Sequence, residues 1–442
     1  MHKVGSRYQI LLEKPEIIFL LLGVIFGVLM IFVTPIFNVP DEDSHLLRAC
    51  EVSNLILHND KNIDVSKDLL PNRKALVKQN CSKFSVFKNP KQENNLFKFE
   101  TLSYQFNNTG YSAILYLPNA ISIKLSSLFT QNPFIIFYLA RLANLLVWLT
   151  FIYFAIKITP ILKYQFLFCA LFPMSVFEGM SLSADSFNIG FSFLFVAFLF
   201  KLIYGNSDSI KLKDIFIYVT FALISIFLKG ALLLGLLFFL IPKEKLKNRN
   251  TIFFTTMILC FILQCIYSAN TFILIKEGVD FAHQKYLLTH DFLYVSKMLI
   301  ITLFHQGDYY LRSSICQLGW LDIKPFRLFN YLMFAVFLSI AVLGTKKINI
   351  KKFDKYYSLF LIILFILLTH ILYLLTFTTP LDYRIQGVQG RYFITLYPLL
   401  ALATVNMFKI ELSERQKATF KSSILLLILL SLSYSVFLIY SQ

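Results

Sequence analysis

Runs of about twenty apolar residues, most of them bounded by a short cluster of Lys or Arg, recur from Pro15 to Tyr440. A backbone can cross lipid only as a helix or a closed barrel, because no water is there to satisfy its polar groups. Barrel strands read as alternating stretches of about ten residues. Such stretches are absent here, so the pattern specifies an all-α polytopic membrane protein. Composition agrees: 57% of the 442 residues are hydrophobic and 15% charged. Mean hydropathy is +0.65, whereas soluble chains carry roughly 25% charged residues.

The net charge of +17 raises the question of nucleic acid, but its placement argues against it. The cations sit in short clusters between apolar runs, as cytoplasmic loops do, and no basic-aromatic motif or zinc spacing is present. The six cysteines (50, 81, 169, 260, 265 and 316) show no metal spacing and read as small core residues. The first apolar run is too long for a signal h-region and lacks an A-x-A site, so it reads as a retained anchor.

Placing the basic clusters in the cytoplasm fixes the threading. The N-terminus starts inside, span one runs from Glu16 to Phe37, and residues 38–132 form an outer loop. Tyr111–Phe129, interrupted by Pro118, Asn119 and Lys124, reads as an amphipathic helix in the outer interface. The rest alternates through Phe134–Ile156, Phe166–Met180, Phe187–Tyr204, Ile215–Leu228, Ala231–Ile241 and Phe253–Phe272. After a second outer region, residues 273–325, come Phe329–Leu343, Tyr357–Phe377, Tyr392–Met407 and Ile424–Tyr440, ending outside. That is one membrane domain with about eleven helices, every short basic loop being cytoplasmic. Lys229-Gly230 divides the long run from Asp214 to Pro242 into two short helices that meet near the outer side.

Several polar residues gather at the expected outer face. After span one comes Val39-Pro40-Asp41-Glu42-Asp43-Ser44-His45, with Arg48 one turn on. Three consecutive acids suit a general base or a cation site. They equally suit the start of an interfacial helix, with Pro40 at its first position and the carboxylates against its dipole. Asp185 lies between two spans, where it can be functional or an N-cap. Lys229 interrupts an apolar run and calls for an anionic partner, either a lipid phosphate or Asp185. Gln389-Gly390-Arg391-Tyr392 opens a span with an Arg able to grip a phosphate bidentately, or simply to anchor the interface. Arg141 has the same two readings. The second region holds His283, His290, His305, Asp308 and Gly319-Trp320-Leu321-Asp322. Its histidines lack zinc spacing, and Trp320 suits either an interface belt or a sugar-stacking platform.

These pieces resemble, in order and over about residues 15 to 410, the domain-of-unknown-function family 2142 of multi-spanning membrane proteins. The resemblance is carried by Val39-Pro40-Asp41-Glu42 with His45 and Arg48-Ala49, Tyr116-Leu117-Pro118 and Arg141-Leu142-Ala143-Asn144. It continues in Leu171-Phe172-Pro173-Met174, Ser181-Leu182-Ser183-Ala184-Asp185, Gly319-Trp320-Leu321-Asp322 and Gln389-Gly390-Arg391-Tyr392-Phe393. Two departures are Ala184, where the family commonly has Tyr, and Asp43-Ser44, where it often has Pro-Ala; neither touches Asp41 or Glu42. The family in turn is similar to the GT-C glycosyltransferases, which have an acidic motif in the first outer loop, juxtamembrane helices and polyprenyl-phosphate sugar donors.

That resemblance implies a GT-C-like fold in a bacterial cytoplasmic membrane. It also implies transfer of a sugar from a polyprenyl phosphate to a cell-surface glycan or lipid-linked acceptor on the outer face. Asp41 and Glu42 are then the catalytic acids, and Asp43, His45 and Asp185 support them or position the acceptor. Arg391, Lys229, Arg141 and Gln389 receive the donor phosphate. A divalent cation is compatible with the acids but not demanded by them. The rival readings are a lipid-linked oligosaccharide polymerase, ligase or flippase, and an ion-coupled transporter. A flippase needs a polar path, a ligase depends on arginines and not on the acids, and a transporter calls for paired broken helices.

Overall fold

The computed structural model describes residues 12–55, 111–130, 132–269, 275–341, 350–405 and 412–441. The early helices are α1 (Pro15–Val33), α2 (Glu42–Ser53), α3 (Leu117–Ser126), α4 (Pro133–Ile158), α5 (Lys163–Ala170), α6 (Pro173–Met180) and α7 (Ala184–Tyr204). Then come α8 (Leu212–Ser225), α9 (Arg249–Ala269), α10 (Phe281–His290), α11 (Phe292–Ile315) and α12 (Arg327–Ile340). The last are α13 (Lys352–Phe377), α14 (Tyr397–Thr404) and α15 (Glu414–Tyr440). Tighter 3₁₀ segments occupy Ala113–Tyr116, Ala231–Leu240 and Gly390–Leu396. Extended pairing among the described residues is limited to one bridge between Leu318 and Ile323.

Six of these helices are long and apolar enough to cross a membrane: α1, α7, α13, α15, most of α4 and most of α9. The pair α10 and α11, bent by 106°, makes a seventh if it is counted as one broken span or re-entrant loop. It lies within 273–325, where the sequence reading expects an outer region. The remaining apolar runs are short or interrupted, for local reasons. Phe166–Met180 divides because Pro173 forces Phe172 out of the helical region (ψ 136°). The run through Lys229 divides as the sequence suggests, with Gly230 in the left-handed region at φ +69°. Tyr392–Met407 begins as a 3₁₀ turn and continues as an α-helix of 8 residues. The expected interfacial helix is α3, whose 10 residues span about 15 Å, half the hydrocarbon thickness.

The core is the packing of α7 on α4 and of α4 on α1. On α1, Gly23 and Gly27 sit one turn apart, and a Cβ at either would stand 2.6 Å from a methyl of Leu149 or Leu145 on α4. Small residues at this spacing let two membrane helices approach closely and gain dispersion contacts. The ends of the bundle differ in charge. At one end, Lys421 lies 2.8 Å from Glu13, Lys245 donates to the carbonyls of Leu202, Ile203 and Gly205, and Lys355 donates to that of Val405. Tyr204 donates to Asp354 at the same end. The acidic turn after α1, with Arg141, Asp185, Lys229 and Arg391, lies at the other.

Gly390 joins the polar end to the core. A Cβ there would lie 2.0 Å from the Tyr310 carbonyl, 2.4 Å from Ser313 Oγ and 2.8 Å from the Ser314 amide. Backbone cannot yield as a side-chain tip does. Gly390→Ala is expected to destabilise the protein by about 1–3 kcal/mol. At Gly235 every Cβ contact is 3.4 Å or longer, so Gly235→Ala serves as the neutral control. Unfolding midpoints of the two variants in detergent check this.

Candidate functional site

The site begins where α1 ends. The chain must turn sharply between Thr34 and Glu42, and it does so with two non-glycine residues in the left-handed region, Phe37 (φ 62°) and Asp41 (φ 60°). Such a conformation costs free energy for a residue with a Cβ, less for Asp than for most. Surrounding bonds hold the turn. Glu42, wholly buried, accepts from the Phe37 amide at 3.1 Å and the Leu182 amide at 3.3 Å. It also forms a two-pronged pair with Arg141, Nε to Oε1 at 2.9 Å and Nη2 to Oε2 at 2.6 Å. Arg141 gives its other donors to the carbonyls of Ile31, Thr34 and Pro35. A guanidinium has five N–H groups, and all five are engaged. Arg141 and Glu42 therefore form a clamp, with no donor of Arg141 left over for a phosphate.

Asp41 is placed differently. It precedes α2 but its carboxylate caps nothing, and Pro40 lies outside the helix that the sequence reading has it open. The Asp41 side chain is 58% exposed, and its Oδ2 is 3.6 Å from Nη2 of Arg391, itself only 3% exposed. Arg391 also donates from Nη1 to Glu178 at 3.0 Å, and its Nε stands 3.5 Å from Asp185 Oδ2. Lys229 Nζ lies 2.6 Å from Asp185 Oδ1 and sits over the rings of Tyr111 (4.0 Å) and Tyr392 (5.3 Å). Asp185 is thus not the N-cap of α7; Ser183 is, its hydroxyl accepting from the Asp185 amide. Three carboxylates from α6, α7 and the acidic turn converge on two cations, one from the α8 break and one from the 3₁₀ turn before α14.

His45 belongs to the same surroundings. It is buried, accepts or donates at Nδ1 with the Tyr116 hydroxyl at 2.8 Å, and stacks near Tyr111. Burial, aided by the positive charges of Lys229 and Arg391 against the opposing Asp185, lowers its pKa to about 3. It is neutral at physiological pH. Asp43 is buried, and Arg48 pairs with Glu51 at 2.6 Å. Gln389 is half-buried directly before the 3₁₀ turn, with Oε1 lacking a hydrogen-bond partner. Asp185 Oδ2, Glu178 Oε2 and Arg391 Nε are likewise buried and unbonded. Arg391 Nε and Asp185 Oδ2 face each other as an ion pair longer than a good hydrogen bond, and buried polar atoms left so are what a polar ligand or ordered water would satisfy. Among the described residues no group of three or more His, Cys, Asp or Glu is arranged to hold a metal ion.

Asp41, Asp185, Lys229 and Arg391, more than 340 residues apart at the extremes, are therefore brought together, with His45 and Gln389 at the margin. Glu178 is the member that sequence reasoning misses. Its signal was present, as it is the only charge between Lys163 and Asp185 and an ionisable residue in an apolar run demands a reason. Tyr111 and Tyr392 carried no such signal.

Two outcomes follow. Glu42→Gln leaves Arg141 buried against carbonyls alone and is expected to cost about 3–5 kcal/mol, whereas Asp41→Asn leaves the unfolding midpoint essentially unchanged; thermal melts in detergent check the contrast. For His45, the unfolded chain titrates near about 6.5 and the folded protein near about 3. Between these values the unfolded state binds more protons, so the contribution is present above the unfolded value and lost as pH falls toward 3. Melting between pH 7 and 5 should show this loss, and His45→Gln should flatten it.

No curated protein and no solved structure matches the chain. The sequence profile of the DUF2142 family, described as predicted membrane protein, matches residues 24–400, so the chain belongs to that family.

Proposed function

We propose that this protein is a glycosyltransferase of the GT-C kind, moving one sugar from a polyprenyl phosphate to a cell-surface glycan or lipid-linked acceptor. The observation that best supports this reading is Asp41, an exposed carboxylate on a strained turn beside the buried guanidinium of Arg391. A base open to an incoming hydroxyl stands next to cations suited to an anionic leaving group. In this reading the polar end of the bundle faces outward and the basic end inward. The N-terminus is then cytoplasmic and the C-terminus outside, with about eleven passes if the short and broken segments also cross. The membrane is the bacterial cytoplasmic one.

The step is an inverting displacement. The acceptor oxygen attacks the anomeric carbon as its proton passes to the Asp41 carboxylate. The bond from that carbon to the phosphate oxygen breaks, and the electron pair leaves with the polyprenyl phosphate. Arg391 and Lys229 stabilise the developing charge, each held in place by Asp185 and, for Arg391, by Glu178. Glu42 and Arg141 hold the turn and do not touch substrate. Asp43, His45 and Gln389 border the site.

Mass spectrometry of surface glycans from cells carrying the wild type, Asp41→Asn, Arg391→Lys or no protein tests this. One sugar residue is expected to vanish in the deletion and in Asp41→Asn. Arg391→Lys, which keeps charge but loses the planar fork, should reduce transfer by about 10²-fold or more. Loss of glycan length without loss of a defined residue would favour a polymerase or ligase. Normal glycans in Asp41→Asn would sink the assignment.

A further inference from the structure

The second region reaches the acidic turn through a hairpin. The bridge between Leu318 and Ile323, with amide-to-carbonyl bonds of 3.0 and 3.2 Å, closes a four-residue hairpin at Gly319-Trp320-Leu321-Asp322. Two of its residues are left-handed, Gly319 (φ +61°) and Leu321 (φ 65°). Gln317 Nε2 donates to the Leu321 carbonyl at 2.7 Å, and Asp322 Oδ1 accepts from the Ile323 amide at 3.1 Å. A Cβ on Gly319 would stand 2.4 Å from Asp322 Oδ1, so the hairpin is closely fitted. From its tip the indole Nε1 of Trp320 donates to the carbonyl of Phe37 at 2.9 Å.

Phe37 is the first left-handed residue of the turn that ends at Asp41. Its amide is held by Glu42, its ring packs edge-on against Phe137 at 5.6 Å, and its carbonyl is held by Trp320. The neighbouring carbonyls of Thr34 and Pro35 are held by Arg141. The clamp fixes the inner side of the turn, and Trp320 fixes the peptide plane that faces the second region. The same plane is tied on its other side by the Asn38 amide, which donates to the Pro35 carbonyl at 3.2 Å, so the indole is its second hold and the one that comes from outside the turn.

We propose that Trp320 is a positioning residue, which ties the hairpin at 318–323 to the Phe37 carbonyl and thereby sets the orientation in which Asp41 is presented. Its consequence for turnover rests on the reading of Asp41 as the base; its geometry does not. The test is therefore made on position 41 itself. Asp41→Cys in a Cys81→Ser background is alkylated in detergent with a neutral maleimide, with Trp320 kept or replaced by Trp320→Phe, and the rate at Cys169 is read in the same digest. Cys169 is wholly buried on α5, remote from the turn in the chain, and reports any general loosening.

Loss of one net hydrogen bond should raise the labelling rate at position 41 about two- to tenfold, with the rate at Cys169 unchanged. An unchanged rate at 41, or parallel rises at both positions, overturns the proposal. Should Trp320→Phe fail to reach the membrane, Gly319→Ala displaces the hairpin while keeping the indole, and the same two rates decide. Glycan analysis of Trp320→Phe with native Asp41 then separates the two readings. A moved turn with unaltered surface glycan would leave the positioning intact and remove the transferase role.

Discussion

A buried arginine and glutamate, Arg141 and Glu42, hold the polar end of this protein together. Neither is exposed at all, and an isolated ion in such a place would cost several kcal/mol or more to desolvate. The cost is offset because every donor of the guanidinium is matched and the carboxylate accepts two backbone amides as well. The pair joins the end of α1, the start of α2, the third turn of α4 and the loop before α7. Remove it, and the turn carrying Asp41 has no fixed relation to the helices that carry its neighbours.

Around that clamp the charges are distributed by reach. Arg391 stands at the centre, touching Asp41, Glu178 and Asp185, and Lys229 closes the set through Asp185 and two tyrosine faces. The clamp is saturated, whereas this cluster is not. Its contact with Asp41 is long at 3.6 Å, and several of its polar atoms have no hydrogen-bond partner. A saturated pair suits structure, and an unsaturated one beside an exposed carboxylate suits binding and chemistry. This contrast separates Glu42 from Asp41, adjacent residues of identical type of charge.

Much of the architecture was legible in the residues. Helical membrane character followed from the apolar runs, the break at Lys229-Gly230 from a cation beside a glycine, and the need of Lys229 for an anion, a lipid phosphate or Asp185, from the cost of an unpaired charge in an apolar run; the fold supplies Asp185. Full-length helices were not always what formed. Pro173 divided one run, Pro398 and Gly390 shortened another, and α11 extended through a stretch whose Lys297, His305 and Asp308 disguise its apolar face. Hydropathy sums over a window, and helix ends are decided by single backbone positions that a sum does not register.

The sequence alone determined that this chain is an α-helical membrane protein and which polar residues had no apolar reason to be there. What tertiary structure decided was their partners. Arg141 and Arg391 each open with the same two readings, and only the fold gave one to five internal acceptors and the other to a half-open cluster. Glu178 and Trp320 acquired roles only when segments more than 200 residues apart in the chain came within hydrogen-bond distance. A residue's type limits what it can bond, but a bond depends on angles and distances of a few ångströms, which packing sets and linear order does not.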